Sequence, residues 1–113
     1  MTLSKKHVLF LCSLNRFRSP TAEKVFMTWP GIEVASAGLN AGANGLVTAE
    51  LLGWSDIIFV MERVHRTKLA TSFQAQLNGK RIICLNIPDK YSYMDPSLVA
   101  ILRERVSKFL RAA

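Results

Sequence analysis

Four short apolar runs punctuate the chain, HVLFLC, EVASA, DIIFVM and RIICLNI, and each is followed by a stretch of helical spacing. Runs with little polar alternation suit strands covered by helices on both faces, the arrangement of a parallel sheet. Residues 6–12 make the first run. From Ser19 the pattern changes: Pro20 suits a first helical turn, and Ala22, Val25, Phe26 and Trp29 recur at helical spacing until Pro30 and Gly31 stop it. Further strands are expected over 32–37, 56–61 and 81–87, and helices over 47–54 and 64–73, with the loop GLNAGANG and the turn NGK between them. Asp95-Pro96 marks the start of a last helix, Asp as N-cap and Pro at the first helical position. That helix gathers Leu98, Val99, Leu102, Val106, Phe109 and Leu110 on one face. Repeated strand-helix alternation predicts an α/β fold, a three-layer α/β/α sandwich around a four-stranded parallel sheet with right-handed crossovers.

The chain of 113 residues suits one domain over 1–113. With 50% hydrophobic and 20% charged residues it has a core to bury, which excludes a disordered composition. A net charge of +7 favours anionic partners such as phosphate esters, acidic peptides or nucleic acid. The basic residues are scattered, so a solvated surface is preferred to a nucleic-acid stripe. Lys5 and Lys6 precede an apolar stretch that is too short for a signal sequence and runs into Asn15, Arg16 and Arg18. No stretch reaches the ~18 apolar residues of a membrane span, so a cytoplasmic protein without a membrane partner is expected. Cys12 and Cys84 stand far apart with only His7 and His65 beside them, which gives neither a disulfide framework nor zinc spacing.

Function in open α/β folds tends to lie at the carboxyl ends of strands, and Cys12 stands at one. Five residues, Ser13, Leu14, Asn15, Arg16 and Phe17, separate it from Arg18, with a strand before and a helix after. Such a loop can aim successive backbone N–H groups into a concavity, where the helix N-terminus adds partial positive charge. A thiol in such a cradle is favoured as a nucleophilic thiolate, and the planar fork of Arg18 suits two phosphate oxygens in a way lysine cannot match. Ser19 is suited to hydrogen-bond the sulfur, and Asn15 to pin the loop by its side-chain amide. Guanidinium and backbone donors supply the electrostatics, so neither metal nor cofactor is required. A buried, inert cysteine is the alternative; the whole pattern of apolar run, Cys-x5-Arg-Ser-Pro and amphipathic helix argues against it. Arg16 reads equally as a rim cation extending the positive surface or as an ordinary solvated side chain. His65, after the third apolar run, could face the same rim but has no evident catalytic partner. Cys84, inside an apolar run, is read as core.

LFLCSLNRFRSPTAE resembles the signature of the low-molecular-weight protein tyrosine phosphatase family, Cys-x-x-Asn-x-x-Arg-Ser-Pro followed by a helix with Ala-Glu, matched by Cys12, Asn15, Arg18, Ser19, Pro20, Ala22 and Glu23. SAGL, AELLGWSDIIFVME and IPDKY are similar to later segments of that family, in order. The resemblance implies a four-stranded parallel sheet and hydrolysis of a phosphate ester, with phosphotyrosine in protein as the favoured substrate, through a phosphocysteine. It implies a phosphorylated protein or small phosphate ester as partner. Family members are usually longer, and the difference falls between Gly38 and Val47, so a shortened cleft wall and a shallower cleft are expected. Where many members carry a second cysteine before the arginine, this chain has Phe17.

The resemblance also implies a general acid, an Asp-Pro on a late loop with aromatic neighbours. Asp89, in IPDKY, matches by its flanking Ile and Tyr, although Lys90 stands where Pro is expected; Asp95 keeps the Asp-Pro pair but is explained by helix capping. Asp89 is preferred. Tyr91 is a candidate for the cleft wall, with loop packing as the equal alternative. Two other activities compete on this scaffold: phosphate recognition in phosphoprotein or nucleic acid without turnover, and arsenate reduction, for which Cys84 alone is a poor resolving thiol.

Overall fold

A computed structural model describes residues 5–111. The ends of the expected domain, 1–4 and 112–113, lie outside the described residues. Strand β1 (Lys6–Cys12) leads through a loop into helix α1 (Arg18–Phe26), followed by β2 (Ile32–Gly38), α2 (Ala49–Trp54), β3 (Ile57–Val60), α3 (Arg63–Ser72), a short 3-10 turn (Gln74–Leu77), β4 (Arg81–Cys84) and α4 (Pro96–Arg111). All strand pairs are parallel, in the order β2-β1-β3-β4.

The two-residue period of a strand divides the core between the faces of this sheet. Val8, Phe10, Cys12, Ile57 and Phe59 face α1 and α4, where they meet Ala22, Phe26, Leu98, Leu102 and Val106. Leu9, Leu11, Ile58 and Val60 face the other way, against Leu52 of α2 and Leu69 of α3. The result is the expected three-layer α/β/α sandwich. Phe10 forms its centre on the first face, stacked 5.8 Å from Phe26 and 5.3 Å from Phe59. Since β1 and β3 are covered on both faces, their apolar runs carry little alternation, which is why they were readable as strands.

Several boundaries differ from expectation, for local reasons. Helix α1 ends at Phe26, short of Trp29; Pro30 disfavours helical geometry in the residue before it, and Trp29 folds back on Phe26 at 5.2 Å. Helix α2 begins at Ala49, not 47, because the Thr48 hydroxyl caps it by accepting the N–H of Leu51. The fourth strand ends at Cys84, not 87, because Asn86 turns to a positive φ of 54°. Its pairing partly continues, as Leu85 and Ile87 donate to the carbonyls of Val60 and Met61. Cys84 is half-buried against the second face of the core, and its Sγ lies 3.4 Å from Asn86 Oδ1.

The order β2-β1-β3-β4 makes the chain leave β1 toward one side of the sheet and β3 toward the other. Between their carboxyl ends lies the topological switch point at which open α/β sheets bind ligands.

Candidate active site

The loop after β1 is held from behind by the segment that follows β2. The carbonyl of Cys12 accepts from the N–H of Leu39, that of Ser13 from Leu39 and Asn40, and that of Leu14 from Asn44. The Asn44 side chain reaches the carbonyl of Asn15 at 3.3 Å. In a planar trans peptide the next residue's N–H points opposite its carbonyl. Carbonyls drawn backward therefore turn the amides of residues 13–16 forward. Among the described residues no loop carbonyl or side chain accepts the N–H of residues 14–18, and the first N–H groups of α1 join them as unpaired donors. Gly38 permits this close approach: a Cβ there would lie 2.8 Å from the Ser13 carbonyl oxygen and 2.6 Å from Ala43 Cβ. The segment after Gly38 is thus a brace behind the loop. None of its residues lines the cavity.

Asn15 supplies the bend. Its φ is 54°, in the left-handed region that asparagine tolerates better than most residues. Its Nδ2 donates to Ser19 Oγ at 2.9 Å and to Ser36 Oγ at 3.0 Å, while Ser36 donates to Glu23. Ser19 Oγ lies 3.0 Å from Cys12 Sγ. With its oxygen accepting from Asn15, the Ser19 hydroxyl has one proton to give, and the acceptors in reach are the sulfur at 3.0 Å and the Ala37 carbonyl at 3.4 Å. Asn15 and Ser19 therefore stand behind the nucleophile, Ser19 in direct contact with the sulfur and Asn15 acting through Ser19, both outside the cavity lining.

Arg18 is 2% exposed. Its Nη1 donates to Glu62 Oε2 at 2.6 Å and to the Ile87 carbonyl at 2.8 Å, which fixes one edge of the guanidinium. The Nε–Nη2 edge is left to form the bidentate fork an oxyanion accepts, with Asp89 Oδ1 3.7 Å from Nε. Asp89 is mostly exposed, on the loop beyond β4.

A cavity of about 50 Å³ is lined by Cys12, Ser13, Leu14, Arg16, Phe17, Arg18 and Asp89. The structure thus brings together both expected ends of the chemistry, the Cys-x5-Arg loop and Asp89. Arg16 and Phe17 are exposed at its rim. Asp95 stands elsewhere: its Oδ1 accepts the N–H of Ser97 at 2.8 Å, at the head of α4. Tyr91 is absent from the lining; it packs half-buried against the core, with the Lys90 ammonium 5.6 Å from its ring centroid.

Of two further residues of the site, Glu62 escaped the sequence reading and His65 was left there without a partner. Glu62 orients Arg18, and His65 is buried with Nε2 2.9 Å from Ser13 Oγ and Nδ1 accepting the Glu62 N–H at 3.1 Å. Burial, reinforced by the Arg18 guanidinium, lowers the His65 pKa from 6.5 to about 4. The ring is neutral at physiological pH. The available signal was the polar cluster ERVH at the end of the third apolar run, where a strand next to β1 delivers side chains to the same switch point.

No protein-family model matches the sequence, and no curated protein matches it either. Solved structures do. The tyrosine phosphatase Wzb from Escherichia coli K30, in complex with phosphate, superposes with a TM-score of 0.79 at 19% identity, over 96% of this chain and 98% of that one. The chain has the fold of the low-molecular-weight tyrosine phosphatases. Vibrio vulnificus Wzb in complex with benzylphosphonate gives a TM-score of 0.78 at 22% identity, over 97% of this chain and 100% of that one. The YwlE arginine phosphatase from Geobacillus stearothermophilus gives 0.75 at 18% identity, over 95% and 94%. This phosphatase fold is shared across nearly the whole chain while sequence identity has fallen to about one residue in five. Among the described residues no helix is long and apolar enough to cross a membrane.

Proposed function

We propose that the protein is a metal-independent phosphatase, a single domain over 1–113, that hydrolyses phosphate monoesters through a phosphocysteine, with phosphotyrosine in protein as its substrate. The observation that carries this reading is that Cys12, Arg18 and Asp89 line one small cavity whose floor is a ring of forward-turned backbone amides.

The chemistry runs in two displacements. Cys12 Sγ, as thiolate, attacks phosphorus in line with the ester oxygen; the S–P bond forms as the P–O bond breaks, and Asp89 gives its proton to the departing oxygen. Charge on the equatorial oxygens is met by the loop amides and the open edge of Arg18, which are in place before the reaction and need no reorganisation. Water then attacks phosphorus from the side the leaving group vacated. Asp89 takes the proton from water, inorganic phosphate departs, and the Ser19 hydroxyl stabilises the regenerated thiolate. A reduced Cys12 fits the cytoplasm, which we propose as the protein's location.

Solved neighbours with this fold are described as a tyrosine phosphatase and as an arginine phosphatase. The test is therefore hydrolysis of phosphotyrosine and phosphoarginine peptides, beside a simple aryl phosphate, by purified protein in chelator. Turnover of the aryl phosphate and the phosphotyrosine peptide, lost in Cys12→Ser, is expected. No turnover, or turnover undiminished in Cys12→Ser, contradicts the reading; preference for phosphoarginine corrects the substrate. Binding of phosphate with no turnover would favour a recognition module instead.

A further inference from the structure

The turn that opens α3 touches the loop twice. Glu62 fixes one edge of Arg18, and three residues later His65 reaches Ser13, 52 positions away in the chain. The hydrogen-bonding roles around the imidazole follow from its partners. A backbone N–H can only donate, so Nδ1, which receives the Glu62 amide, is the acceptor of the ring. The proton of the neutral ring is then on Nε2, and it is donated to Ser13 Oγ.

A hydroxyl that accepts from one side has its own proton to give on another. Ser13 lines the cavity, and its backbone is fixed by two N–H groups on its carbonyl oxygen. We propose that His65 is a positioning residue that holds the Ser13 hydroxyl as a donor to the oxyanion in the cavity, an assignment that rests on reading the loop as an oxyanion cradle. The helix entry itself needs only Nδ1; Nε2 is directed to the loop. Neutrality keeps this tautomer in place: burial, Arg18 and Lys68 disfavour the charged ring more strongly than Glu62 and Asp89 favour it. A charged imidazolium would have a proton on Nδ1 and lose the Glu62 contact that orients the ring.

The test is the affinity of the protein for inorganic phosphate, measured by calorimetry for the unaltered chain, Ser13→Ala, His65→Ala, His65→Gln and Ser13→Ala/His65→Ala, with thermal melting of each. A hydrogen bond to an anion is worth about a tenfold change in affinity. Ser13→Ala and His65→Ala are each expected to weaken phosphate binding by about tenfold, and the double variant by no more than Ser13→Ala. His65→Gln, whose amide N–H takes the place of Nε2–H, is expected to recover most of the affinity. A purely structural histidine would lower the melting temperature and weaken binding equally with or without Ser13. Equal loss in both backgrounds, no loss in Ser13→Ala, or His65→Gln no better than His65→Ala overturns the assignment. If His65→Ala does not fold, Ser13→Ala and His65→Gln still decide it. Coupling in phosphate affinity without ester hydrolysis would leave His65 in this role and overturn the phosphatase reading. Hydrolysis without coupling would do the reverse, and no phosphate binding by the unaltered chain would overturn both.

Discussion

The two sides of the cavity are built to different standards. On one side, Cys12 and Arg18, with Ser19 behind them, are 3%, 2% and 0% exposed, and each makes at least one side-chain hydrogen bond. On the other, Asp89 is 63% exposed on its side chain and meets Arg18 at 3.7 Å, in a segment between the positive-φ residues Asn86 and Met94. The difference matches what the proposed reaction asks of each side. Charge on a transferring phosphoryl group is stabilised best by dipoles already in place, so the loop is braced from behind by residues 39–44 and from the flank by Glu62 and His65. A proton donor has to meet leaving groups of varied shape, and an exposed loop suits that task.

If the rigid side carries the bond-making, removing its nucleophile has the largest effect. Cys12→Ser is expected to lower turnover of an aryl phosphate by ~10³-fold or more while the melting temperature stays within a few degrees, read by steady-state kinetics beside thermal unfolding. On the exposed side, Asp89→Ala is expected to cost ~10²-fold in turnover with little change in stability. A stability loss as large as that of a core substitution would mean that the two sides are equally structural.

Acid sharpens the comparison, because the titrating group belongs to the rigid side. His65 has a folded pKa of about 4 against 6.5 unfolded. Between those values the unfolded chain binds the extra proton, so stability is complete above pH 6.5 and falls as the pH drops toward 4. The contribution is on the order of 2–3 kcal/mol, measured by denaturant unfolding across that window. In His65→Gln that part of the pH dependence should vanish.

The brace provides the next test. Gly38→Ala places a methyl 2.8 Å from the Ser13 carbonyl, and about 2 kcal/mol of stability should be lost by overpacking. Turnover should fall with it, since the atom displaced belongs to the loop. The smallest effect is expected at Asp95→Ala, about 1 kcal/mol from the lost cap of α4, with turnover nearly unchanged. A large kinetic effect there and a small one at Asp89 would move the general acid to the head of α4.

The same contrast explains what was legible in the sequence. The loop side is one contiguous segment, so the roles proposed for Cys12, Asn15, Arg18 and Ser19 could be read from the whole pattern of apolar run, Cys-x5-Arg-Ser-Pro and helix. Glu62 and His65 act on that segment from 44 and 52 residues away. Nothing in the spacing of their own helix tells which loop they face; only the parallel pairing of β1 with β3 brings them there. The role of residues 39–44 was hidden for a related reason. A short Gly/Asn-rich loop reads as cleft wall or as brace with equal ease, and the choice is made by which carbonyls it receives. Asp89 and Asp95 are separated by the fold, which sets the first beside Arg18 and the second at the head of α4, and our proposal of Asp89 as the acid rests on that placement. Tyr91 was drawn into the core by the same apolar pressure that made it a plausible cleft aromatic.

The central claim is that Cys12 forms a covalent bond to phosphorus. Asp89→Ala, mixed with an activated aryl phosphate and quenched in acid within the first turnover, should yield by mass spectrometry one phosphoryl group on the peptide that contains Cys12, with a matching burst of released phenol. Hydrolysis that proceeds with no phosphoryl group on Cys12, or with the group on another residue, would contradict the account.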